Sequence, residues 1–143
     1  MVIDKEGSLW VWGNNGKGQL GNGTITLQTT PQKVAGLSGV AAVGGGLSHT
    51  LVLTRDGKLY ACGLNASGQL GDNSTTTAKT FVFNGLTGVV AIAAGDNHSF
   101  AVKSDGSVFA WGLNTDGEVG DGTNVTPKKA PVSASGLTVT LPH

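Results

Sequence analysis

The residues able to do chemistry here are few: three histidines, one cysteine and a small cluster of carboxylates. His49 and His98 each stand eight residues before a glycine, flanked by Ser48 and Thr50 or by Asn97 and Ser99. A serine beside a histidine suggests nucleophilic catalysis. Adjacent strand residues point to opposite faces, however, and no third group recurs to orient the imidazole. The expectation is therefore two hydrogen-bonded structural histidines. Asn114, Asp116, Glu118 and Asp121 gather four oxygen side chains in one stretch. Calcium is the cation such ligands suit, but the spacing lacks the glycine and closing glutamate of a calcium loop. Loop polarity is the preferred reading, and no metal is expected. The lone Cys62 can close no internal disulfide, and one thiol makes no cysteine framework for zinc.

A glycine loop, N-x-x-G-x-L/V-G, occurs three times. It runs through Asn15, Gly18 and Gly21, then Asn65, Gly68 and Gly71, then Asn114, Gly117 and Gly120. It is not a phosphate loop, because no Gly-Lys-Ser/Thr follows and Lys17 precedes its glycine with no helix to open. Glycine serves tight turns here and asparagine caps them, so no nucleotide or other cofactor is expected. The N-x-Ser/Thr sequences at Asn22, Asn65, Asn73, Asn97 and Asn124 read as turn chemistry for the same reason.

The elements that must position these loops follow from composition and repetition. Of 143 residues 24 are glycine, and only 13% are charged. Nine basic residues balance nine acidic ones, which argues against a nucleic-acid partner that needs a basic surface. The 38% hydrophobic content argues against disorder. No apolar run reaches the length of a membrane span, so no membrane partner is expected. The first residues lack the basic start and apolar core of a leader, which leaves a cytoplasmic site or a secreted one with the leader absent from this chain.

Three stretches, 7–24, 57–74 and 106–123, align without gaps, and a second block repeats at 36–56 and 85–105. The repeats run 7–56, 57–105 and 106–143, with 1–6 the end of a preceding repeat, all in a single segment 1–143. A period near 50 residues fits propeller blades or helical solenoids. β-Branched and aromatic residues without a 3.6-residue period decide for strands. Four strands per repeat are expected: 40–44, 50–54, 58–63 and 79–84, then 89–94, 99–103, 107–112 and 128–133. Asp56-Gly57 and Asp105-Gly106 predict two-residue hairpins with positive φ at both positions. The first strand of each repeat is rich in alanine and glycine, as suits the crowded inner strand of a propeller. Trp10, Trp12 and Trp111, on the third strands, are expected to pack between blades.

The segments WVWGNNGKGQLGNGT, YACGLNASGQLGDNS and FAWGLNTDGEVGDGT, with VVAIAAGDNHSFAVKSDG between, closely resemble the regulator of chromosome condensation repeat. The wording IAAGDNHSFAVKSDG looks like the bacterial branch. The resemblance implies an all-β fold, a β-propeller of four-stranded antiparallel blades, usually seven to a ring. Its members include a nuclear guanine-nucleotide exchange factor that docks on nucleosomes and a secreted protein inhibitor of β-lactamase. The exchange activity is not carried over, because no residue pattern here reports its partner surface.

Three blades are too few to close a ring. Residues 1–6 align with a second strand and 136–143 with the start of a first strand. The expectation is a homodimer forming a six-bladed ring, each chain lending its last strand to the other. The function expected is a non-enzymatic scaffold that binds itself and a further protein, with Lys17, Asp72, Asp116 and Asp121 as contact positions. His49, His98, Gly21, Gly71 and Gly120 are expected to be structural. Two other readings stand beside it. One is a piece of a larger propeller without activity of its own. The other is a small hydrolase or lyase with His49, His98 or Asp96 at the ring axis.

Overall fold

The computed structural model describes residues 1–142; His143 lies outside the described residues. It contains β1 (Val2–Ile3), β2 (Leu9–Gly13), β3 (Gln28–Lys33), β4 (Val40–Gly45), β5 (His49–Thr54), β6 (Leu59–Gly63), β7 (Ala78–Phe83), β8 (Val89–Ala94), β9 (His98–Lys103), β10 (Ser107–Gly112) and β11 (Lys128–Thr138). Among the described residues no helix is long and apolar enough to cross a membrane.

The strands form three antiparallel β-propeller blades. Blade 1 is the three-stranded sheet β1-β2-β3, blade 2 is β4-β5-β6-β7 and blade 3 is β8-β9-β10-β11. The inner strands β4 and β8 carry small side chains, and a Cβ at Gly44 would lie 3.9 Å from the Cβ of Ala94. That closeness is what alanine and glycine at the inner edge permit. Each blade breaks register between its outer strand and the strand beside it, at Val11/Gly13, Ala61/Gly63 and Ala110/Gly112, and blade 3 breaks again at Ser107/Phe109. The bulge bends the chain into the long loop that crosses to the outer strand.

Alternation of side chains divides each blade into two faces. Leu9 and Val11 of blade 1 meet Val40 and Val52 of blade 2 in one core. Leu51, Leu53, Leu59 and Ala61 of blade 2 meet Val89, Ala101 and Trp111 of blade 3 in another. The hydrophobic core is therefore the joint between blades, not the interior of any one sheet.

Two expectations change. The Asp-Gly turns are not two-residue hairpins with positive φ throughout. Gly57 and Gly106 have φ of 77° and 84°, whereas Asn73 is the only non-glycine residue of positive φ among those described. Gly57 N–H donates to Thr54 O and Thr54 N–H to Lys58 O, so Arg55, Asp56 and Gly57 form a three-residue loop with glycine at its left-handed position. Aspartate earns its place by side-chain acceptance: Asp105 Oδ1 takes the Ser107 N–H at 2.9 Å.

The second change is at the C-terminal end. Residues 136–138 do not open a separate inner strand within this chain; they extend β11, with Thr138 opposite Ser107. Val139 N–H then donates to Gly106 O, as Val40 and Val89 do to Gly7 O and Gly57 O at the start of β4 and β8. The crossover toward a next inner strand is thus begun in the same way three times.

Candidate interaction rim and blade clasp

The turns joining inner to second strands and the long loops at 14–27, 64–77 and 113–127 share one rim of the blades. Each long loop is built around one asparagine. Asn65 is fully buried. Its Oδ1 accepts the Leu70 N–H at 3.0 Å, and its Nδ2 donates to Asp72 Oδ1, Ser74 O and Thr76 O. Asn15 and Asn114 repeat the pattern with Leu20 and Val119 as the N–H donors. A short amide that both donates and accepts can satisfy several backbone groups of a loop that has no ladder of its own.

The expected contact residues lie on this rim. Lys17 and Asp116 are exposed. Their backbone N–H groups donate to Gln19 Oε1 and Glu118 Oε2. Asp72 turns inward to Asn65 and Ser74. Asp121 is clamped by the Lys128 ammonium and the Thr123 hydroxyl. Those bonds hold its carboxyl down at about 2. The side chains of Asn114, Glu118 and Asp121 therefore serve the loop and Lys128, while Asp116 faces solvent. Reasoning from sequence missed the apolar members of the rim: Ile25, Leu27, Leu47 and Val125 are exposed. A signal was present, since the sister loops have Thr75, Thr77 and Thr76 where Ile25, Leu27 and Val125 stand.

Two of the loops reach across to the next blade. The Gln69 carbonyl accepts the Ser99 hydroxyl at 2.8 Å and the Trp111 indole N–H at 2.9 Å. The Gln19 carbonyl accepts the Thr50 hydroxyl at 2.7 Å, with Cys62 Sγ 3.5 Å away. The N–H groups of Gly23 and Asn73 bond to the outer-strand carbonyls of Lys79 and Lys129. Gly71 lies flat on Trp111, where a Cβ would stand 2.7 Å from the indole nitrogen; Gly21 lies on Phe81 and Cys62 in the same way. In blade 3 the equivalent loop meets no neighbour: nothing lies within 4 Å of a Cβ at Gly117, and Gly120 has only Ala134.

His49 is part of the blade 2–blade 3 joint. Its Nε2 lies 2.9 Å from Ser99 Oγ. A carbonyl can only accept, so the Ser99 hydrogen is committed to Gln69 and His49 Nε2 must donate to Ser99. His49 Nδ1 is then an unprotonated acceptor, buried with no hydrogen-bond partner among the described residues. Burial first, and the nearby His98 second, push the imidazole down to about 4. His98 is half-buried and packs edge-on against Phe100 at 5.2 Å. Asp96 is exposed in the turn before it, and its carbonyl accepts the Leu47 N–H. Burial also raises the Cys62 thiol far above its ordinary range, which leaves it inert.

The tryptophans divide. Trp111 is fully buried, and Trp10 donates its indole N–H to Asp4. Trp12, at the position of Cys62 and Trp111, is 40% exposed, so it does not pack between blades of this chain.

Comparison with known proteins agrees with this geometry. Human protein RCC2 is 45% identical over 56 residues, 38% of this chain and 11% of that protein. Its zebrafish (Danio rerio) homologue is 43% identical over the same length. The structure of Prp20p from Saccharomyces cerevisiae, described with its binding to Gsp1p and histones, superposes with a TM-score of 0.83 at 26% identity; the match covers 93% of this chain and 35% of that one. Human WBSCR16 superposes with a TM-score of 0.79 at 27% identity over 93% of this chain and 36% of that one. The chain thus spans about a ninth of the RCC2 proteins and about a third of the solved structures. The pattern of the Regulator of chromosome condensation (RCC1) repeat matches residues 6–53, 56–102 and 105–140, so the chain belongs to that repeat family.

Proposed function

We propose that this chain is a non-enzymatic propeller scaffold that binds protein through its loop rim and completes its ring by self-association. The observation that carries the reading is the set of exposed apolar side chains, Ile25, Leu27, Leu47 and Val125, set among polar loops on one rim. Aliphatic groups rimmed by polar residues are the common anatomy of a protein contact. Lys17, Asp72, Asp116 and Asp121 supply the polar surround. The yeast relative supports the reading, since Prp20p binds Gsp1p, histones and Kap60. A catalytic role for His49 is disfavoured because Ser99 is fully buried and its hydroxyl hydrogen is already given to Gln69.

Self-association is supported by the open inner edge of β1, which ends its sheet. It is supported too by residues 139–142, which begin a crossover and pair with no strand. The proposed assembly is a homodimer of six blades in which each copy adds these residues to the partner's β1 edge. Light scattering across micromolar concentrations should give twice the 14.3 kDa chain mass. For the rim, a chain carrying Leu47→Glu and Val125→Glu should lose protein partners that the unaltered chain captures from its source cell, while keeping its oligomeric state. An unchanged set of captured proteins would remove the rim from the proposal.

A further inference from the structure

We infer that the bare loop of blade 3 is the male half of a head-to-tail joint whose female half is the exposed Trp12 face of blade 1 in a second copy. This rests on the self-association reading and assigns the residues that make it. The two internal joints give the rule. A loop carbonyl, Gln19 or Gln69, accepts a second-strand hydroxyl of the next blade, Thr50 or Ser99, and lies over the third-strand side chain at the Cys62 or Trp111 position, whose indole N–H it also accepts in the blade 2–blade 3 joint; the glycine two residues later lies on that same side chain.

Blade 3 presents the same parts unused. Glu118 occupies the position of Gln19 and Gln69, and its carbonyl accepts no hydrogen bond from the described residues. Gly120 is exposed where Gly21 and Gly71 are buried. In the same blade, Ala91, Ile92, Ala93, Phe100, Ala101 and Val102 line an apolar cavity of about 140 Å³. Ala91 and Val102 pair across β8 and β9 as Ala42 and Leu53 pair across β4 and β5, and those two lie in the blade 2–blade 3 core.

Blade 1 presents the complement. Trp12 stands at the Trp111 position with its indole N–H unbonded among the described residues, and Val2, at the buried Val52 position, is 51% exposed. An exposed indole next to exposed valine is costly in water and is the side-chain chemistry that the blade 3 clasp fits. The two faces are unlike, so the contact is heterologous: two such joints close a ring of two copies, and an imperfect angle gives an open chain. The Glu118 carbonyl receives the Trp12 N–H, Gly120 lies on the indole, and Val2 enters the apolar cavity.

Sedimentation velocity on the whole chain tests this, with Trp12 fluorescence followed alongside. The unaltered chain should dimerise, with emission moving to shorter wavelength as the indole is buried. Trp12→Ala and Gly120→Leu should each weaken association about tenfold or more, as loss of a central aromatic anchor does. Trp12→Phe, which keeps the ring and loses only the N–H, should fall between. Melting curves at low concentration show whether each variant folds. Longer head-to-tail chains would support the joint while removing the closed dimer. Association at unaltered strength in Trp12→Ala and Gly120→Leu would overturn the joint and leave self-association standing. A monomer at every concentration would overturn both.

Discussion

The loops at 64–77 and 113–127 are close copies in sequence and differ in surroundings. Each folds on its own asparagine: Asn65 and Asn114 are fully buried and take the N–H of Leu70 and Val119 at the same 3.0 Å. Only the first has a neighbour to hold. Gly68 and Gly71 are buried against Lys129 and Trp111, whereas Gly117 is half-buried and Gly120 exposed. The loop's shape is therefore local, since Gly117 and Gly120 keep the left-handed φ of Gly68 and Gly71 with no neighbour, and the close seat on the next blade is a second use of the same glycines. Asparagine only folds this motif, whereas glycine both folds it, at a left-handed φ kept in every copy, and seats the next blade where one is present, a division that one loop alone would not reveal.

The sharpest break of that comparison is at the tryptophans the two kinds of face present. Trp111 is fully buried under the Gln69 loop. Truncation to alanine should cost about 3–5 kcal/mol and lower the melting temperature by several degrees or more. Trp12→Ala, at the same blade position without an overlying loop, should cost under about 1 kcal/mol in dilute monomer, as for an ordinary surface change. Urea unfolding of the two variants side by side measures the gap. Equal losses would mean that the loop adds nothing to the buried indole.

Acid provides a second break. His49 has its ordinary value near 6.5 in the unfolded chain and about 4 in the folded one. Below pH 6.5 the unfolded chain takes up a proton that the folded joint refuses. Stability is therefore complete above that value and falls as pH drops toward 4, by up to about 3 kcal/mol at 1.36 kcal/mol per unit. The loss should concentrate at the blade 2–blade 3 joint, where His49 donates to Ser99. Hydrogen exchange between pH 7 and 4 should show the Ser99 and Trp111 amides losing protection before the blade 1–blade 2 joint does. His49→Gln should flatten the pH dependence.

What was legible in the sequence, and what was not, follows the same division between local and shared. The blade fold and the phase of its strands were legible because repetition writes them three times. The Asp-Gly turns were assigned the wrong type, because both hairpin classes favour glycine at a left-handed position and only the backbone bonds around Thr54 and Lys58 separate them. Residues 136–143 were read as the start of an inner strand, but β10 offers the first three of them an edge within the chain. The recurrence of Gly21, Gly71 and Gly120 was visible and its turn role legible, yet the seat of Gly71 on the next blade was not, since Trp111 lies 40 residues from it in sequence. Trp12 was expected to pack between blades because the residue at the same position, Trp111, reads identically on its strand. The rim aliphatics escaped notice because single apolar residues in polar loops carry no periodicity.

The smallest effect isolates the clasp itself. Gly71→Ala and Gly120→Ala place the same methyl on backbones of nearly equal φ, 74° and 71°. The left-handed position should cost each about 1–2 kcal/mol. Gly71→Ala also drives a Cβ to 2.7 Å from the Trp111 nitrogen, inside any real contact distance, and should lose about 1–3 kcal/mol more as overpacking. Gly120→Ala has open space beside Ala134 and adds nothing in dilute monomer. The difference between the two variants subtracts the backbone cost and leaves the contact. Adding Trp111→Phe should shrink that difference, because the smaller ring withdraws the atoms the new methyl strikes, and a difference that survives unchanged would place the strain in the loop rather than in the joint.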